Sequence, residues 1–150
     1  MPSKKFKYES YLTQFPNCPP EDYQERAMTA FRWIHRSPNE NQNFVPVLLM
    51  NPQRRLDSSD ERCLGYGLSF FDSLENAFNK HQKICRKPSL RKLLGEYIAE
   101  IALSEQDGVS SQPDAKNYGH FTFHACEETN LTEKIVTIVE LFDEYGNYSR

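Results

Sequence analysis

The stretch "RCLGYGLSFFDSLENAF" (residues 62–78) decides how the rest of the chain is read. Taken as a strand over 62–71, it turns Leu64, Tyr66, Leu68 and Phe70 to one face. Gly65, Gly67 and Ser69 then point to the other, because successive strand residues alternate. That second face is nearly bare. A bare face either lets a helix pack closely on the sheet or lets a flat ring or a ribose lie against the backbone. Asp72 followed by Glu75 marks a helix start, and Leu74, Ala77, Phe78 and His81 continue at helical spacing to about Arg86.

Downstream, Pro88 ends that helix, and Ser89 caps a short one carrying Leu90, Leu93 and Leu94, with Gly95 as its stop. Residues 96–104 then read as a strand closed by the turn Asp107-Gly108, or, if Gly95 is an interior glycine, as the continuation of one helix, and 105–118 as a loop. Two more strands follow, "GHFTFHA" (119–125) and the β-branched "KIVTIVELF" (134–142). Upstream, Pro19-Pro20-Glu21-Asp22 supplies prolines and acids where a helix starts. Tyr23, Ala27, Ala30, Phe31 and Ile34 recur at helical spacing, so a helix is expected over 20–34, although "FRWIHR" also alternates like a strand. Residues 37–43 and 51–61 read as loops, and Pro46 makes 44–50 an edge strand or a short irregular segment. The expected class is α+β: a polar lead-in over 1–18, then one domain over 19–150 with a mostly antiparallel sheet and two to three helices.

Composition narrows the function classes. The chain has 150 residues, enough for one domain with a core, and its net charge of −3 gives no general attraction to nucleic acid. The basic run "KHQKICRKPSLRK" (80–92) lacks interleaved aromatics and follows the helix dipole, so nucleic acid is not an expected partner. No apolar run reaches the roughly 18 residues of a membrane helix, and the N-terminus lacks an export-signal pattern, so a cytoplasmic setting is expected. There Cys18, Cys63, Cys85 and Cys126 would be reduced thiols. No four-ligand metal spacing emerges, since His120 and His124 on one strand would stand roughly 13 Å apart.

Three pieces in order carry a resemblance. His35 in "WIHRSPNENQNFVPVLL", followed by Asn43-Phe44-Val45, is similar to the histidine element and N-F-V of the ADP-ribosyltransferase-like fold of the diphtheria-toxin and poly(ADP-ribose) polymerase type. "GYGLSFFD" resembles that family's G-x-G-I-Y-F-x-D, with Gly65, Gly67, Leu68, Phe70 and Asp72 in register, and "LLGEYIAEIALSEQDG" resembles the strand that follows. Arg36 stands where the family has glycine, and Ser69 where it has a stacking tyrosine. The resemblance implies an NAD-binding transferase or a relative with altered or lost activity. NAD as substrate would be held by His35, Ser37, Gly65, Tyr66, Gly67, Ser69, Phe70 and Phe78. Glu140 would be the catalytic acid beside His35, with Glu127 and Glu128 as alternatives. A carboxylate there would stabilise an oxocarbenium-like ribose.

Two other readings remain open. A non-enzymatic module on the same fold would present its surface to a protein partner. His35-Arg36-Ser37 and His120-Phe121-Thr122 also fit H-x-[S/T], as in two-histidine phosphoesterases, where paired imidazoles act as base and acid on a nucleotide or RNA end.

Overall fold

The structure, a computed structural model, describes residues 5–36 and 41–150. It is a single α+β domain built on a six-stranded sheet in which every pairing is antiparallel. The strands are β1 (Met28–Ile34), β2 (Leu68–Phe71), β3 (Tyr97–Leu103), β4 (Gly108–Ser110), β5 (His120–Ala125) and β6 (Ile135–Glu140). Their order across the sheet is β4-β5-β2-β1-β3-β6. The described residues form five helices where two to three were expected: α1 (Glu9–Leu12), α2 (Val47–Met50), α3 (Ser59–Gly65), α4 (Leu74–Ile84) and α5 (Pro88–Leu94).

Both faces of the sheet are covered, and this overrides two expectations. The helix expected over 20–34 is instead β1 from Met28 onward. Ala30 and Ile34 pack into one apolar layer, while Phe31 and Trp33 join the other. A segment buried on both faces satisfies its backbone in the sheet, and its apolar spacing then mimics a helix. The strand expected over 62–71 is split. Ser58 accepts a hydrogen bond from the Glu61 amide and starts α3, with Asp60 and Glu61 in its first turn. Ser58 and Glu61 have the spacing of a capping box. A turn at Tyr66 and Gly67 leads into β2, so Gly65, Gly67 and Ser69 lie on a helix, a turn and a strand. They form no common bare face.

The layer on one side holds Leu68, Phe70, Ala99, Ile101, Phe121, Phe123 and Leu131. On the other, Ala77 and Phe78 of α4 pack against Phe31, Phe71 and Ile98, joined by Leu141 and Phe142. Helix α4 is capped by Ser73, whose hydroxyl accepts from the Asn76 amide, while the Asp72 carboxylate accepts from the Asn76 side chain. Gly95 ends α5 as expected. Its φ is +103°, and a Cβ there would meet the Ile34 carbonyl. The edge strand β4 falls inside the expected loop 105–118. The segment read as a polar lead-in packs on the domain: Leu12 is buried with Leu48 and Tyr66, and the Lys7 amide donates to the Ala125 carbonyl.

Candidate functional site

Strands β1 and β2 pair at one position, Phe31 with Phe71, and then separate. Arg32 bridges the gap. Its guanidinium donates to the carbonyls of Asn43, at 2.7 Å, and Ser69, at 2.9 Å. Burial pushes its pKa down to about 10. Asn43 is buried, and its side-chain oxygen accepts the His35 amide at 2.7 Å. The asparagine of the N-F-V element therefore fixes the end of β1 and seats Phe44 beside β2.

Beyond that junction lies a cavity of about 320 Å³. Phe44, Tyr66, Leu68, Phe123, Ala125 and Leu131 supply apolar walls. The polar groups are Lys7, Tyr8, Glu128, Thr129, Asn130 and Thr132. Apolar walls with a few polar groups of both signs suit a small organic ligand carrying a flat ring. Tyr66 is held in place by Tyr11, stacked with ring centroids 5.1 Å apart, and by Phe15 at 6.1 Å.

Of the residues singled out in the sequence, the cavity gathers Tyr66 and the alternative acid Glu128. His35 follows β1 directly and is tied to Asn43. Ser37 lies outside the described residues. Glu140 does not reach this cavity: it is exposed on the edge strand β6, three strands or roughly 14 Å from β2. It lines a separate cavity with Glu96, Tyr97, Phe142, Asp143 and Glu144. Phe70 is fully buried between Phe121 and Phe123, and Phe78 is buried beneath α4. Both are core residues. Gly65 is filled against Leu48 of α2, with an added Cβ only 2.6 Å from that side chain. Gly67 faces Thr122 and His124 in the same way, at 2.6 Å and 3.1 Å. The space over these glycines is occupied by the protein's own side chains.

Ser69 is exposed on the opposite sheet face, its hydroxyl 3.0 Å from His120 Nε2. Burial, with help from Lys80 and against Asp114, holds the His120 pKa below the usual value. His120 stands in one row with Phe71 and Phe31, whereas His35 lies four residues further along β1. That offset is about 13 Å along the strands, so the two histidines do not flank one phosphate.

The thiols differ from expectation too. Cys18 and Cys63 are joined as a disulfide, with Cα atoms 5.7 Å apart, and Cys85 and Cys126 are buried outside any disulfide. Fold proximity brings the pair together from widely separated positions, and no local sequence signal announces it. His124 on β5 abuts the same place, and burial holds its pKa at about 4. Sequence reasoning also missed Arg32, whose alternation with Trp33 looks like ordinary strand patterning. Among the described residues no helix is long and apolar enough to cross a membrane. Comparison of the chain with family models, with curated proteins and with solved structures finds no match.

Proposed function

We propose that the protein binds NAD or a closely related nucleotide in the cavity over Tyr66 and Leu68, in the manner of an ADP-ribosyltransferase-like domain. One observation carries this reading. Two motif pieces far apart in sequence, Asn43-Phe44-Val45 and "GYGLSFFD", contribute Phe44, Tyr66 and Leu68 to the same cavity. Its volume of about 320 Å³ suits the nicotinamide-ribose half of such a ligand. The ring would lie against Tyr66 and Phe44, and the ribose would meet the polar groups from 128–132.

In this arrangement Glu128 takes the role first assigned to Glu140, because it lines the cavity and Glu140 does not. A carboxylate beside the ribose stabilises the cationic character that develops as the nicotinamide bond breaks. Asn43 and Arg32 act at a distance by fixing the β1–β2 junction. Thermal melting with NAD or ADP-ribose, together with an assay for released nicotinamide, tests the reading. The expected result is a rise in Tm with wild type and with Glu128→Gln, and nicotinamide release by wild type only. No shift with either nucleotide rejects binding and leaves a protein-interaction module on this fold. A shift with unchanged turnover in Glu128→Gln rejects the acid assignment.

A further inference from the structure

On the sheet face opposite the ligand cavity, the Cys18 and Cys63 sulfurs and one ring nitrogen of His124 lie within 4.8 Å of one another. His124 is 3% exposed, and its Nε2 is buried with no hydrogen-bond partner. Leaving such a nitrogen unpaired leaves its desolvation cost uncompensated, so a buried orphan invites a second occupant of the site. Gly67 makes the room: a Cβ there would stand 3.1 Å from His124 Cε1 and 3.2 Å from Nε2. The Tyr23 ring, with its centroid 5.8 Å from that of His124, lies against the same imidazole.

We propose that Cys18, Cys63 and His124 form a site for a thiophilic divalent cation of the zinc type, occupied when the disulfide is reduced. Disulfide and metal are then alternative ways of closing one junction, between the chain before β1, the end of α3 and β5. Two thiolates and a neutral imidazole cancel the charge of a divalent cation, which makes its burial tolerable. A tetrahedral zinc centre holds sulfur at about 2.3 Å and nitrogen at about 2.1 Å, so donors stand roughly 3.5 to 4 Å apart. All three donors lie within 4.8 Å of one another while the sulfurs are still bonded, so filling the site needs the two sulfurs to part by torsional adjustment once that bond opens. Three protein ligands leave the fourth position to water.

The chemistry balances with a dithiol as reductant. Exchange transfers two electrons and two protons to the Cys18–Cys63 bond, giving two thiols and the oxidised dithiol. Binding of the cation then releases both thiol protons to solvent. Cys18 is only partly buried, which gives the reductant access.

The test uses the full chain in two redox states. One sample is reduced with a water-soluble phosphine, which is then removed without air, and both samples are titrated with Zn²⁺ against a chromophoric chelator. The reduced protein is expected to take up one equivalent, and the oxidised protein to bind at least about 100-fold more weakly. Co²⁺ in place of Zn²⁺ should give thiolate-to-cobalt charge-transfer absorption and the ligand-field bands of a tetrahedral site. Cys18→Ser retains Cys85 and Cys126 and should lose both signals. Equal Zn²⁺ binding in the two redox states overturns the proposal, as does no binding by the reduced protein. Binding that survives Cys18→Ser, or a cobalt spectrum without charge transfer, overturns it too.

Discussion

Two buried histidines on the α4-facing side of the sheet make opposite use of their burial. His81, 0% exposed in α4, has both ring nitrogens engaged, Nδ1 with the Tyr148 hydroxyl at 3.0 Å and Nε2 with the Gly95 carbonyl at 2.8 Å. A carbonyl only accepts, so Nε2 carries the proton. Trp33 and Phe142 meet the ring edge-on at 4.9 Å and 5.7 Å, and Arg91 stacks over Phe142 and Tyr148 nearby. This histidine ties α4, the α5 stop and the C-terminal segment together. His124 sits beside a disulfide with Nε2 unpaired. Where every polar atom is satisfied, the residue is explained by packing. Where one is not, the fold has kept something that packing alone does not require.

Replacing the satisfied histidine should have the larger effect. His81→Ala removes two hydrogen bonds, strands the Gly95 carbonyl and opens a cavity among aromatic rings. We expect a loss of about 3–5 kcal/mol in urea unfolding. A loss under about 1 kcal/mol would show that the cluster does not organise this side of the sheet.

Acid sharpens the contrast. Burial, opposed by the Gly95 hydrogen bond and aided by Arg91, holds the His81 pKa below its ordinary value. The unfolded chain therefore takes up the proton first as pH falls. The stability contributed by neutral His81 is complete above pH ~6.5 and declines as pH drops from there toward the folded value, by at most about 1.4 kcal/mol per pH unit. Tyr148, Cys85 and Arg91 are the other ionisable groups at this site. Urea midpoints measured from pH 8 to pH 5 should fall more steeply for wild type than for His81→Gln, and equal slopes would remove His81 as the cause.

The smallest effect belongs to the unpaired histidine. His124→Leu exchanges an unsatisfied ring for an apolar group of similar size, so the oxidised protein should unfold within about 1 kcal/mol of wild type. A loss as large as that of His81→Ala would mean that His124 serves the fold after all.

Elements with a sustained apolar pattern bounded by turn residues were legible. The strands over 119–125 and 134–142, the preferred strand reading of 96–104 with its stop at Gly95, and the helix after Asp72 all form within a few residues of expectation. The stretch over 62–71 was not legible, because glycine permits either alternation or a helix end and the Ser58–Glu61 cap lies just upstream of it. The candidate site was legible only in part. Tyr66, Asn43 and Phe44 stand in recognisable segments, yet nothing local shows that Phe44 and Tyr66 line one cavity or that Glu140 lies at the far edge of the sheet.

Local pattern was enough for the class of the domain, its antiparallel character, the helix stop at Gly95 and the spacing of the motif pieces, all of which rest on residues near one another in the chain. The caps fell at Ser58 and Ser73 rather than at Asp72 and Ser89. Tertiary structure alone decided that Met28–Ile34 is a central strand, that Arg32 bridges two separating strands, and that Cys18, Cys63 and His124 converge. These depend on what lies across the sheet or beneath a helix. Burial on both faces erases the local pattern that would announce a strand, and contact between distant residues leaves no periodic trace in the chain.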